Sequence, residues 1–185
     1  MITTLRLQKA INISARQHDG QYRYGKERFP YITHPFSVAL IISEWTDDED
    51  NIIAGLFHDI FEDTKGYDYE QMTNEFNERI ASIVKEVSEN ETLPKEERKM
   101  DRLKRMETAS AEALLVFMAD KIHNAESLLA IKENGNDTEL LKRFGVYEIN
   151  ELPKTDNYAL EIVKTRLPNH PGIIRLEDVF NKLKA

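Results

Sequence analysis

One stretch of the chain, from Ile52 to Thr64, combines an apolar stripe of helical spacing with a cluster of polar groups. Its sequence is IIAGLFHDIFEDT, and its polar residues are His58, Asp59, Glu62 and Asp63. On one continuous helix, their spacing of three or four positions places them on a shared face. Three carboxylates so close together repel each other unless a positive charge lies among them. The stretch therefore predicts a divalent metal such as Mn, Fe or Zn, since imidazole and carboxylate are suitable ligands for these ions.

Length and composition narrow the class of protein. A chain of 185 residues is expected to form one domain with a single substantial core. Its net charge of -8 argues against a general nucleic-acid binder, although a small anionic substrate remains compatible with it. The absence of cysteine excludes disulfides, Cys-ligated zinc and thiol nucleophiles.

Apolar runs are too short for a membrane protein. The longest, Ala113 to Ala119, is far shorter than a bilayer-spanning helix, and the first residues lack a signal-peptide pattern. We therefore expect a soluble cytoplasmic protein that acts on a small molecule, with no membrane partner and no nucleic-acid partner. The sequence leaves its oligomeric state open.

Nearly every periodic segment predicts a helix, and no segment shows a convincing strand pattern. The expected fold class is all-α, a helical bundle whose sites are built from facing helices. Pro35 suits the first turn of one helix, and Asp68 with Gln71 is typical of a helix start. The later predicted helices begin after Pro94, at Ala111, near residue 156 and near residue 175.

Single histidines more often cap or pack than bind a ligand, and His18 and His170 are interpreted in that way. Asp120 differs because it follows the apolar run LLVFMA. A carboxylate there is expected to be partly buried, so it needs a metal or a neighbouring Lys or Arg. Asn124 lies one helical turn further and faces the same way.

Four sequence blocks occur in a characteristic order: PYITHP at 30–35, HDIFEDT at 58–64, LPKEERK at 93–99 and ADKIHN at 119–124. Together they resemble the HD phosphohydrolase superfamily. More narrowly, they resemble the hydrolase domain of the RelA/SpoT family, especially the small alarmone hydrolases of the Mesh1 type. The resemblance implies a single HD-type domain over 1–185. Its motif core would span about 10–129, and a helical extension would follow over about 130–185.

The resemblance also implies roles for individual residues. The metal ligands would be His34, His58, Asp59 and Asp120. The metal in this family is usually manganese, and another divalent ion is an alternative. Glu62 and Asp63 match the pair that positions or activates the attacking water. The implied substrate contacts are Arg23 against the base, Asn124 on the nucleoside, and Tyr24, Lys26 and Ser127 around them.

The implied reaction removes pyrophosphate from the 3′ position of guanosine tetra- or pentaphosphate and yields GDP or GTP. One alternative is an HD phosphatase acting on another nucleotide, such as a nucleoside monophosphate. A further alternative is an inactive nucleotide-binding regulatory module, which would be expected to have lost a ligand or one of the acids.

Several residues depart from the pattern of these relatives: Tyr24 and Phe117 replace lysines, Glu126 replaces arginine and Ser127 replaces threonine. All four are predicted to border the nucleotide pocket. The basic residues of the segment after Pro94 have two interpretations. They line an entrance for phosphate, or they form a solvated helix face of mixed charge.

Overall fold

The computed structural model describes residues 4–24, 27–64, 66–134 and 154–184, and it confirms the expected all-α fold. These residues contain no β-strand, although Tyr22 and Pro30 form an isolated antiparallel bridge. The helices are α1 (Leu5–Gln17), α2 (Thr33–Ser43), α3 (Glu49–Phe57), α4 (Ile60–Asp63), α5 (Tyr69–Glu75), α6 (Glu78–Val87), α7 (Lys95–Met106), α8 (Ala111–Glu133), α9 (Lys154–Arg166) and α10 (Pro171–Lys184). None of the described helices is both long enough and apolar enough to span a membrane.

Local sequence signals set most of the helix starts. Asp68 and Gln71 form a reciprocal capping box at the start of α5, as predicted. Ser110 accepts the N–H of Ala113 at the start of α8, and Pro94 directly precedes α7. The last helix begins earlier than the expected residue 175, because Pro171 already occupies its first position.

The stretch from Ile52 to Thr64 is not the continuous helix that its periodicity predicts. Helix α3 ends at Phe57, and the one-turn helix α4 begins at Ile60. Between them, the His58 ring donates from Nδ1 to the carbonyl oxygen of Gly55 at 2.8 Å. This side-chain bond competes for a carbonyl that the next turn of a regular helix would use. The chain therefore bends between the two helices at His58 and Asp59.

Helix α3 lies at the centre of the bundle, where it packs against α1, α2, α6 and α8. Every residue from Asn51 to Phe57 is buried, so this part of α3 is covered on all sides rather than on one stripe. Helix α8 is buried along most of its first half and carries α10 on its other side. Residues that flank α3 and α8 are thereby held on rigid, packed elements.

Gly55 allows α2 and α3 to approach closely. A Cβ atom at this position would lie 2.5 Å from Ile42 Cδ1 and 3.3 Å from the Cα of Ala39. The α2–α3 contact also sets the distance between His34, on α2, and His58, just after α3. A small residue at position 55 is therefore needed for the spacing of the two imidazoles.

Gly55→Ala should lower the free energy of unfolding by about 1–3 kcal/mol, because overpacking outweighs the better helix propensity of alanine. Urea unfolding would measure the change. Ile42→Val removes the Cδ1 atom that the new methyl group meets, so the double variant should lose less stability than the two single changes added together. A stabilised Gly55→Ala protein would contradict the close approach of the helices.

Candidate active site

Two buried histidines and a buried aspartate meet where α2, α3 and α8 converge. His34 Nε2 lies 3.2 Å from His58 Nε2 and 3.2 Å from Asp120 Oδ1. His58 Nε2 lies 3.8 Å from the same Asp120 oxygen. The three residues can each offer one ligand atom, with all of these atoms within 4.8 Å of one another.

Asp59 joins this cluster from the bend after α3. Its Oδ2 lies 3.1 Å from His58 Nε2 and 3.5 Å from His34 Nε2. The hydroxyl of Tyr31 donates to the same oxygen at 2.7 Å and so fixes the carboxylate. The structure therefore brings together all four residues that the resemblance implies as metal ligands.

His123 is a site residue that the sequence analysis left without a role. Its Nδ1 lies 2.7 Å from Nδ1 of His34, and the two rings are 4.9 Å apart. This hydrogen bond occupies the outer nitrogen of His34 and turns its Nε2 toward the cluster. The only available signal was its position three residues after Asp120, one helical turn away on α8.

The ionisable groups of the cluster shift one another's pKa. Burial lowers the pKa of His58, but Asp59 and Asp120 outweigh this effect and raise the pKa to about 9. Burial lowers the pKa of His34. Burial and the charges of His34 and Arg23 together lower the pKa of His123 to about 3. Burial opposes ionisation of Asp59 and Asp120, yet the histidines beside them, and Lys121 beside Asp120, keep both pKa values low.

The donor set fits a divalent metal. The Nδ1 atoms of His34 and His58 are already engaged, by His123 and by the Gly55 carbonyl, which leaves both Nε2 atoms facing Asp120. Such an outer hydrogen bond orients a histidine as a metal ligand. Imidazole nitrogens and carboxylate oxygens are ligands that Mn, Fe and Zn accept. The cluster is therefore suited to hold one divalent ion.

Glu62 and Asp63 reach the site from α4. Glu62 Oε1 accepts the backbone N–H of Glu89 at 2.8 Å. Burial raises the pKa of Glu62 to about 7; Arg102 opposes this shift, and Asp59 adds to it. Burial and the charge of Asp59 also raise the pKa of Asp63. A carboxylate with a pKa near neutrality can accept a proton and release it again under physiological conditions.

A cavity of about 650 Å³ opens beside the cluster and extends toward α10. Arg23 lines it, donates to Asn124 Oδ1 at 2.9 Å and lies over the ring of Tyr31 at 5.8 Å. Tyr24 and Ser127 also line the cavity. Phe180 and Leu183 supply apolar surface to it from α10. A flat aromatic ring and an anionic group can therefore be accommodated in one space.

Two of the departures from the family pattern do not face this cavity. Phe117 is buried in the core, at 2% exposure. Glu126 points toward α10, where it forms a bidentate ion pair with Arg175 at 2.7 and 3.0 Å. Neither residue lines the cavity, so the prediction that these two residues border the pocket is wrong. Phe117 is covered by core packing and by Lys121, whose Nζ lies over its ring, and Glu126 is turned toward Arg175. Lys26, which was expected to contact substrate, lies outside the described residues.

Comparison with known proteins identifies similar sequences and folds. A family model described as an HD domain matches residues 10–147. The MESH1 guanosine-3′,5′-bis(diphosphate) 3′-pyrophosphohydrolase of Xenopus tropicalis is 38% identical over 122 residues, which cover 65% of this chain and 68% of that protein. Its Danio rerio counterpart is 37% identical over 129 residues, or 68% of this chain and 71% of that protein.

The fold also matches a solved structure. A structure described as a metazoan ortholog of SpoT that hydrolyses ppGpp superimposes with a TM-score of 0.81. The match covers 98% of this chain and 97% of the other, at 22% sequence identity. At that level of identity, the likeness supports the fold.

Glu62→Gln should stabilise the metal-free protein at pH 8. Folding raises the pKa of Glu62 from 4.5 to about 7, so the stability that this carboxyl contributes is complete below pH 4.5 and is lost as the pH rises through 7. Glutamine does not ionise, so the variant keeps its stability as the pH rises. It should be roughly 1–3 kcal/mol more stable than the wild type at pH 8. Urea unfolding at pH 5 and pH 8 would measure the difference, with the exposed Glu97→Gln as a control. A variant less stable than the wild type at pH 8 would show that the buried charge carries no such cost.

Proposed function

The chain belongs to the HD-domain family, in the group of the MESH1-type hydrolases, and we propose that it removes pyrophosphate from the 3′ position of guanosine tetra- or pentaphosphate. The observation that carries the proposal is the arrangement in one cavity of a metal-type cluster, two acids and a base-sized space. The MESH1 relatives are named for this reaction. The inactive alternative is disfavoured, because it would be expected to lack a ligand or an acid, and none is missing.

We propose that His34, His58, Asp59 and Asp120 hold a divalent ion, with manganese as the expected metal. When bound, such an ion supplies positive charge to the phosphoryl oxygens and makes water more acidic. Tyr31 keeps Asp59 in place through its hydroxyl, and His123 does the same for His34. Both contacts fix the direction in which the ligand atoms point.

Glu62 is the proposed general base. The water oxygen forms a bond to the phosphorus next to the 3′ oxygen, and the bond between that phosphorus and the 3′ oxygen breaks. One proton of the water passes to Glu62, whose pKa near 7 allows it to return a proton to the departing 3′ oxygen. Asp63, held close to Tyr31 and Asp59, is placed to orient the water. The products are GDP or GTP and pyrophosphate.

Arg23 and Asn124 are the proposed nucleoside contacts. The guanidinium plane of Arg23 is held by Asn124 and stacks readily on an aromatic base. Tyr24 and Ser127 complete this side of the cavity. Phe180 and Leu183 line it from α10, which supports a single HD-type domain that includes the C-terminal helices.

A second candidate is hydrolysis of another nucleotide, such as a nucleoside monophosphate. Tyr24 favours it, since tyrosine replaces the lysine of many relatives at the mouth of the cavity and carries no positive charge at neutral pH. This replacement weakens the case for a polyphosphate while leaving the metal-type cluster intact.

Product analysis over a small nucleotide panel tests the proposed function. With Mn present, the protein should convert guanosine tetraphosphate to GDP and pyrophosphate, and chelation should abolish the reaction. Glu62→Gln should retain metal in elemental analysis while the rate falls by about two to four orders of magnitude, because only the proton acceptor is lost. Release of phosphate from nucleoside monophosphates, with guanosine tetraphosphate left intact, would overturn the proposal in favour of the second candidate.

Arg23→Ala should raise KM for guanosine tetraphosphate about five- to thirty-fold, since it removes the stacking guanidinium. Steady-state kinetics would measure the effect, with Arg16→Ala on α1 as a control that removes the same charge outside the cavity. Tyr24→Lys should leave the activity intact or improve it. An unchanged KM in Arg23→Ala would exclude Arg23 from base binding.

A further inference from the structure

The basic residues of α7 and the loop before it fall into different groups. Arg98 donates to the carbonyl oxygens of Leu93 and Glu91, and Arg105 donates to Glu86 and Ser88, so both anchor the backbone. Lys104 is exposed. In contrast, Lys99 and Arg102 line the large cavity. Lys104 therefore fits the interpretation of a solvated face, whereas the role of Lys99 and Arg102 at an entrance for phosphate stays a prediction.

A third cation joins these two from α8. Lys121 lines the same cavity, and its Nζ lies 3.9 Å from Asp120 Oδ2 and 5.3 Å above the ring of Phe117. Burial lowers its pKa, and the charge of Arg102 lowers it further. Asp120 and Asp156 oppose this shift. Lys99, Arg102 and Lys121 thus form a cation group within one part of the cavity.

The cation group is only loosely neutralised by protein carboxylates. Arg102 lies 3.9 Å from Glu89, and Lys99 lies 3.6 Å from Asp156. These distances exceed those of the surface pairs, such as 2.7 Å for Arg175 with Glu126. The structure records no hydrogen bond from the three cations to another described residue, and the buried Nε of Arg102 has no partner. A buried donor left unpaired costs free energy, so the arrangement favours an anionic ligand.

Asp120 separates the cation group from the nucleoside contacts. On one side, its Oδ1 accepts from Asn124, which in turn holds Arg23. On the other side, its Oδ2 faces Lys121. If the nucleoside lies against Arg23 and the 3′ phosphate lies at the metal-type cluster, the next phosphate extends away from the nucleoside. It then enters the region of Lys121 and Arg102.

We propose that Lys99, Arg102 and Lys121 bind the outer phosphate of the 3′-pyrophosphate and hold pyrophosphate after the bond has broken. The assignment rests on the proposed function for the direction of the substrate. It supplies positive charge for a polyphosphate from α7 and α8, in a cavity where Tyr24 supplies none. The guanidinium of Arg102 offers several donors in one plane, and the two ammonium groups add charge.

Binding of inorganic pyrophosphate and of GDP tests the subsite. Isothermal titration would be performed on the Mn-loaded protein at a fixed free Mn concentration. Arg102→Gln and Lys121→Met should each weaken pyrophosphate binding about tenfold or more while changing GDP binding less than twofold. Lys104→Gln removes a charge from the exposed face of α7 and should change neither affinity. Arg102→Lys keeps the charge and should recover part of the lost affinity.

The outcomes separate the subsite from the proposed function. Unchanged pyrophosphate affinity in Arg102→Gln and Lys121→Met would overturn the subsite. A loss of GDP affinity alone would also overturn it, because the cations would then bind the 5′-diphosphate. If the wild type left guanosine tetraphosphate intact but bound pyrophosphate through Arg102, the proposed function would fail and the anion site would stand. Thermal unfolding of each variant, with and without pyrophosphate, would distinguish lost binding from lost folding.

Discussion

The close burial of two imidazoles and two carboxylates is the constraint on which this site depends. The ligand-type atoms of His34, His58 and Asp120 lie within 4.8 Å of one another, on residues that are all buried in the bundle. Such charges are costly to bury unless they are paired or coordinate a metal. Hydrogen bonds from Tyr31 and His123 keep the groups in this arrangement. The neighbouring helices provide the rigid support that holds the charges together.

The bend after α3 joins the buried core to the residues of the cluster and the cavity. From Asn51 to Phe57 every residue of α3 is buried in the core. Immediately afterwards, His58 and Asp59 face the cluster, and one turn later Glu62 and Asp63 face the cavity. Gly55 has two roles. Its lack of a Cβ atom allows α2 to approach closely, and its carbonyl oxygen accepts a hydrogen bond from Nδ1 of His58. A few consecutive residues therefore set both the helix spacing and the orientation of the side chains in the cluster.

The cavity combines two environments that suit the two ends of a nucleotide. Its lining includes Arg23 and Asn124 on the one hand and the cations Lys99, Arg102 and Lys121 on the other. The metal-type cluster lies between them through Asp120, which contacts Asn124 on one side and faces Lys121 on the other. Glu62 is affected by both the cluster and the cations, since Asp59 raises its pKa and Arg102 lowers it.

The sequence by itself determined the all-α fold and most helix starts, because helical periodicity and capping residues are local signals. Its resemblance to the HD hydrolases pointed to the four residues of the cluster. Only the tertiary structure decided which face each residue of α7 and α8 presents to its neighbours. Glu126 pairs with Arg175, which is 49 positions away, and His123 supports His34 from 89 positions away. Arg102 faces the cavity, whereas Arg105 on the same helix binds backbone carbonyls. Spacing along a helix shows which residues share a face, but the packing of other helices determines what that face meets.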